Sequence, residues 1–468
     1  MTKARIQHPG RCAAALAFAA AYGFFQFAYP YHLIRREQMN LFAFDGDFIR
    51  QTYRGAGWLA RFVTDFLEQF FHLPVAGPLI VALLLTGIGV AAYRICRHFL
   101  GRRPALIIAT ALYAWSFLRE TGNLFSTRYT LVVLGYLALV LAALQFRKAW
   151  LRPAAAVLFL LFGIWSLGAP VHKDYGKPWG APRFRYDRLI GMDAEIARER
   201  WDKVLRLART DLYMVEASFC YDLAHAMKGD LGQKLFDHSQ GTSEHLLLRV
   251  STDRSIFTNC LAGEAWFHLG DMTMAEQSAI IALQASPKHT GTRFLVRLAR
   301  VNLISGEEAA AQKYLNLLSR TLFYGKWARS MMPGQQDETT RRRLEQARSK
   351  LVQKDFVHHS DNPRAILLGL LEANPGNTLA RSYLLCYDLM DYDLEHFMED
   401  YAPNPVKAHI YHEAVLIWLS QHDRMTPEQL TRYGISLSTA GSRDSFFRNP
   451  AAFDNTYWYY YLKAIQEQ

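Results

Sequence analysis

The sequence predicts an all-α protein in two parts: a transmembrane bundle of about five helices over residues 1–170, and a soluble domain of stacked helical repeats over 183–468. Residues 171–182 are read as the linker between them. Three observations lead there. Apolar stretches that approach the length of a bilayer crossing all fall in the first 170 residues, the whole net charge of +11 resides in the same part, and the remainder shows helical spacing with few alternating runs rich in Val, Ile and Thr.

Charge is the most informative total once it is split. Residues 1–170 hold 17 Lys+Arg against 6 Asp+Glu, while residues 171–468 hold 36 of each. The soluble part is therefore neutral overall, and the high isoelectric point is not a nucleic-acid footprint. A content of 51% apolar and 13% aromatic residues leaves ample material for a core.

A hydrocarbon layer about 30 Å thick takes about 20 apolar residues of helix. The candidate spans are Cys12–Ile34, Leu73–Tyr93, Pro104–Leu118, Tyr129–Phe146 and Pro153–Pro170. At 15 residues, the third reads either as a short span or as one arm of a re-entrant hairpin. The first also carries the basic start and small residues of a signal peptide, although the apolar run continues through Tyr22–Tyr31, past a plausible cleavage point.

The connecting loops supply an independent check, because Lys and Arg concentrate in short cytoplasmic loops. Lys3, Arg5, Arg11, Arg94, Arg97, Arg102, Arg103, Arg147, Lys148 and Arg152 place ten basic residues and no acid on one side. On the other, the five Arg of loop 35–72 face Glu37, Asp45, Asp47, Asp65 and Glu68. Five crossings from a cytoplasmic N-terminus put residues 171–468 outside.

That loop holds two features. Trp58, Phe62, Phe66 and Phe70, with Leu59, Val63 and Leu67, give residues 58–71 one wide apolar helical face. Such a face lies among lipid headgroups or packs on the bundle. Asp45-Gly46-Asp47 places two carboxylates two residues apart, a spacing able to share a divalent cation or supply a general base, and equally ordinary turn chemistry. Acids in a first external loop resemble the pattern of membrane glycosyltransferases acting on lipid-linked sugars, which would make Asp45 and Asp47 catalytic.

In the soluble part, Asp193 reads as the N-cap of a helix running to Leu207. Residues Ala265–Pro287, with Trp266 near their start, resemble a tetratricopeptide unit: Leu269-Gly270-Asp271 at the turn between two helices, Ala275 and Ala282 as the small residues where helices approach closely, and Pro287 as the stop. Gly270 suits a left-handed helix cap, and small side chains let repeats stack. Poorer units follow at Leu295–Leu318 and after Asn374-Pro375-Gly376-Asn377. An irregular helical domain with similar small-residue crossings is the competing reading. The resemblance implies a concave surface that binds a protein or peptide.

Motifs for chemistry are scarce. The chain has no H-E-x-x-H, C-x-x-C, G-x-S-x-G or P-loop, so no metal or cofactor is expected. His409 and His412, three apart, share a helical face and with Glu413 could touch a metal, but no further ligand stands at diagnostic spacing, so surface or core histidines are the favoured reading. Cys220, Cys260 and Cys386 sit singly in apolar contexts, and sequence does not choose a disulfide among them. The aromatic block Trp458–Leu462 reads as a hydrophobic cap on the preceding helices, or as a membrane- or partner-facing patch.

The run Arg36–Phe42, continued by Gly55–Trp58, Phe66–Phe71 and Pro74–Gly77, resembles an uncharacterised family of multi-pass membrane proteins of Bacteroides-type bacteria, whose domain has no known function. That resemblance implies an inner-membrane location and a periplasmic C-terminal half. The family resemblance supplies no mechanism; the repeat-like helices and the Asp45/Asp47 pair leave two expected functions, an anchored scaffold that binds an envelope protein, peptide or polymer, or an envelope transferase that uses Asp45 and Asp47.

Overall fold

The structure, a computed structural model, describes residues 9–122, 126–148, 150–168, 181–349, 351, 358 and 361–467. Among them every regular element is helical and no strand occurs. The chain forms two compact units. The first comprises Met1–Ile190 with Pro287–Arg293 and Leu315–Met331; the second comprises Gly191–Ser286, Phe294–Tyr314 and Met332–Gln468. Two short stretches from deep in the C-terminal half thus belong with the N-terminal helices.

In the first unit, α1 (Pro9–Gly23) continues through one π-helical turn, Phe24–Ala28, and stops at Pro30. A separate α2 (Tyr31–Gln38) follows, so the expected span Cys12–Ile34 is broken where proline lacks the N–H that would continue the helix. Next come α3 (Gly46–Thr52), α4 (Trp58–Glu68), α5 (Ala76–Leu100), α6 (Arg102–Glu120), α7 (Ser126–Leu144) and α8 (Leu151–Ser166). Helix α5 is the hub and packs on α1, α6 and α7. Phe25, Tyr29, Leu33, Phe71, Val81 and Leu85 form the core of the contact between the first helices and α5. Glycine permits close approach there: a Cβ on Gly77 would sit 3.2 Å from Phe71 and 3.3 Å from Leu33.

Among the described residues three helices are long and apolar enough to cross a membrane: Gly10–Ala28, Ala76–Leu100 and Thr127–Leu144. Helix α8 is apolar but has only 16 residues, while its Leu158 and Leu161 are 64% and 59% exposed. Helix α6 is not among the three: Arg102, Arg103, Arg119 and Glu120 stand at its ends, and Tyr113, Trp115 and Ser116 lie between them. Five apolar segments were expected; three have the dimensions of full spans.

Helix α4 is turned inside out relative to a water-facing helix. Thr64, Asp65 and Glu68 are buried, whereas Phe62, Phe66 and Phe70 are half-buried. The aromatic face meets other rings: Phe62 lies 5.4 Å from Phe42 and 5.3 Å from Tyr53, Phe66 lies 5.7 Å from Phe42, and Phe70 lies 5.8 Å from Phe323. Trp58 meets Trp165 edge to face at 5.8 Å. Burial of the polar edge is what builds the site described below.

The second unit consists of helix pairs. Trp201–Ala208 packs on Val215–Lys228, Ile256–Leu269 on Met272–Ala285, Pro363–Ala373 on Thr378–Met390, and His409–Gln421 on Tyr457–Glu467. Side-chain caps mark the starts: Ser255, Asp271, Asn362, Asn377 and Asp393 each accept an N–H of the first turn. Asp193 does not cap. It lies inside Phe184–Ile196, and the expected long helix is split at Glu199, whose φ is +55°. The Arg200 N–H then bonds the Glu195 carbonyl at 2.9 Å, and a new helix starts at Trp201.

The hairpin at Ala265–Pro287 shows why its small residues matter. Gly270 takes φ +98° as a left-handed cap, and its N–H bonds the carbonyls of Trp266 and Phe267. Asp271 caps the second helix through Met274 N–H at 2.9 Å. Trp266, Leu269, Ala275 and Ala282 are all at most 1% exposed. The Asn377 amide donates to the Leu269 carbonyl at 2.9 Å, which ties the helix after Asn374–Asn377 to this turn. Pro287 opens the short turn Pro287–His289.

Candidate functional site

The chemistry of the first unit gathers where the end of α2 meets the buried edge of α4. Asp65 and Glu68 are three residues apart and share one helical face. The Asn40 amide donates to both, 3.0 Å to Asp65 Oδ1 and 3.0 Å to Glu68 Oε2. The Tyr53 hydroxyl donates to Asp65 Oδ2 at 2.9 Å. Glu37, one turn before Asn40, completes a group of three carboxylates that are 4%, 2% and 5% exposed at Glu37, Asp65 and Glu68.

Burying three carboxylates together costs several kcal/mol unless cations and donors face them. Those partners come from the two returning stretches. Lys288 Nζ lies 2.5 Å from Asp65 Oδ2. The Thr292 hydroxyl donates to Glu37 Oε1 at 3.2 Å, and its N–H donates to the Asn40 carbonyl at 3.2 Å. The Tyr324 hydroxyl reaches Glu37 Oε2 at 3.3 Å, and the His72 ring, stacked on Phe323 at 5.1 Å, stands 3.9 Å from the same carboxylate. Glu37, Asn40, Asp65, Gln69, Thr292 and Tyr324 line a small open-mouthed cleft with about 10 Å³ of free interior, the space of one water-sized group.

A second polar knot adjoins the first, since Arg36 precedes Glu37. Arg36 donates to Glu120 Oε1 at 2.5 Å and to the Thr127 hydroxyl at 2.8 Å, with side chains 0% and 1% exposed at Arg36 and Glu120. Thr127 and Thr130 donate to the same carboxylate at 3.1 and 2.7 Å. The knot therefore pins α2, the end of α6 and the start of α7. Asp187 accepts the His32 N–H at 2.6 Å.

Burial shifts Glu68 and the two tyrosines that face the cluster. Glu68 is pushed up to about 7, first by desolvation and then by the Asp65 carboxylate. Desolvation likewise raises Asp187 to about 7. Tyr53 and Tyr324 are held well above the usual phenol range, by burial first and by Asp65 and Glu37 second. Both hydroxyls are thus donors at neutral pH.

The Pro287–His289 turn is strained. Lys288 and His289 are consecutive non-glycine residues with φ of +63° and +51°. Each such residue costs about 1–2 kcal/mol, so the surrounding contacts must hold them there.

The family of unknown function DUF6057 matches residues 5–173 and 169–464. The chain belongs to this family. No curated protein and no solved structure matches it. The DUF6057 membership agrees with the resemblance carried by Arg36–Phe42 and its continuations as far as an uncharacterised family goes.

The residues singled out in this DUF6057 chain fare unevenly. Asp45 is the N-cap of α3, accepting Phe48 N–H at 2.9 Å, and pairs with Arg320 at 2.5 Å. Asp47 is exposed in the first turn, outside the lining of the cleft. Glu413 accepts the Tyr457 N–H at 2.7 Å, and the Trp458 indole N–H donates to the Glu413 carbonyl at 3.1 Å, which seats the aromatic block against the helix His409–Gln421. Among the described residues no group of three His, Cys, Asp or Glu is arranged to hold a metal. Glu37, Asp65 and Glu68 entered the sequence reading only as a charge balance, although two acids on the polar edge of an aromatic helix were a usable signal. Lys288, Thr292 and Tyr324 had none, being 223, 255 and 287 positions from their partners.

Proposed function

We propose that this chain is a membrane-anchored binding protein of the bacterial envelope. The apolar helices of its first unit hold it in the inner membrane with the N-terminus cytoplasmic, and the periplasmic second unit serves as a helical scaffold for an envelope protein, peptide or polymer. The observation that carries this reading is the hairpin Ile256–Leu269/Met272–Ala285, with its left-handed Gly270 cap and buried Ala275 and Ala282. Helix pairs of this build, repeated along a chain, present extended surfaces for partners. The orientation rests on counting all five apolar segments as crossings, α6 and α8 included, which leaves ten unopposed basic residues on one side. The transferase alternative is less well supported, because Asp45 is engaged in a cap and an ion pair.

A phosphatase fused after Gln468 should be active in cells, since it folds outside the cytoplasm. Photo-reactive residues at exposed positions of the second unit, such as Tyr213 and Leu437, should capture a discrete envelope component. An inactive fusion removes the periplasmic assignment. Absence of any discrete adduct across the exposed positions removes the scaffold.

A further inference from the structure

We propose that Pro287–Arg293 is a releasable strap over the cleft of Glu37, Asn40 and Asp65, locked by the seating of Lys288 on Asp65. The strap is carried by chain geometry. Its left-handed pair, Lys288 and His289, holds a conformation that an unanchored chain leaves spontaneously, so the closed state depends on its contacts. Those contacts with the cleft are unequal: the ammonium lies 2.5 Å from Asp65 Oδ2, whereas Thr292 reaches Asn40 and Glu37 at 3.2–3.3 Å.

The two partners also differ in environment. Asp65 is fixed from three sides, by Asn40, Tyr53 and Lys288, and its side chain is 2% exposed. The Lys288 side chain is 30% exposed, so it can swing to water without crossing the core. Asp65 is the fixed half of the lock and Lys288 the moving half. When the strap lifts, Glu37 loses Thr292, Asp65 loses its cation, and both carboxylates open toward the cleft that Tyr324 still lines.

The test is hydrogen exchange of the full-length protein in nanodiscs, read on peptides covering residues 287–293. The Thr292 amide, bonded to Asn40 in the closed form, should be protected in the parent protein. Lys288→Met and Asp65→Asn should each raise its exchange by about tenfold or more, the double variant should exceed neither single by much, and Lys288→Arg should keep protection. Peptides from α5 should be unchanged. Fast exchange in the parent, unchanged exchange in Lys288→Met, or an equal rise throughout α5 would overturn the proposal. If Asp65→Asn does not fold, Lys288→Met and Lys288→Arg decide it alone, since both alter the half-open side of the pair.

Discussion

Lys288 Nζ and Asp65 Oδ2 lie 2.5 Å apart, with side chains 30% and 2% exposed. An ion pair with one wet and one dry partner is asymmetric toward mutation. Lys288→Met leaves a buried carboxylate with only the Asn40 and Tyr53 donors, which should cost about 2–3 kcal/mol. Asp65→Asn frees an ammonium that reaches solvent and retains an acceptor for Tyr53, which should cost about 1–2 kcal/mol. Thermal unfolding of the two variants should rank them in that order; the reverse order would mean that Asp65 is held mainly by its neutral donors.

The raised carboxyls make stability depend on pH in a defined direction. Glu68 and Asp187 in the first unit, at about 7 each, bind protons more tightly folded than unfolded. Their contribution is full at low pH, declines as pH rises above their ordinary values of 4.5 and 3.8, and is lost above about 7. Asp388, at about 7, and Glu413, at about 8, act the same way in the second unit. His238 and His268, pushed by burial down to about 4, oppose them between 4 and 6.5, where unfolding lets them charge. Above 6.5 these two histidines no longer oppose the acids, so the melting temperature should fall from pH 6.5 to 8. Glu68→Gln should flatten that fall for the first unit, by up to about 3 kcal/mol across the full titration. An unchanged slope in that variant would show that Glu68 is ionised in the fold.

The Arg36–Glu120 pair is dry on both sides and should respond differently. Arg36→Met strands a carboxylate held by Thr127 and Thr130, and Glu120→Leu strands a guanidinium; each should cost about 3–5 kcal/mol. The double variant Arg36→Met/Glu120→Leu should be less damaging than either single, because no buried charge is left over. A double variant that simply sums the two losses would place the stabilisation in the surrounding packing.

What the sequence made legible was local. Cap residues, Gly270 and the small crossing residues predicted the hairpin at Ala265–Pro287, because those choices are dictated by backbone geometry within a few positions. The apolar periodicity of Trp58–Phe71 predicted a helix correctly, but not that its polar edge would be the buried one, since periodicity gives two faces without saying which is inside. Pro30 marks the break inside Cys12–Ile34, which the apolar length of that stretch does not reveal. The strap and the Arg320–Tyr324 stretch were invisible, because an ion pair that closes over 223 residues leaves no spacing to read.

The crossing inside the hairpin offers the sharpest test of packing. A Cβ built on Gly263 would lie 1.9 Å from Ser278 Oγ and 3.1 Å from Ser278 Cβ, and Ser278 is 1% exposed. The hydroxyl can rotate away, yet the Cβ contact stays tight, so the two helices must part slightly. Gly263→Ala should therefore destabilise the second unit by about 1–3 kcal/mol despite alanine's better helix propensity, which alone would favour it by up to about 1 kcal/mol. Ser278→Ala removes the closer clash, so adding it should recover part of the loss and leave the fraction due to the 3.1 Å contact. Urea titration of the two singles and the double separates these terms. If Gly263→Ala proves neutral or stabilising, the two helices are farther apart than this crossing requires.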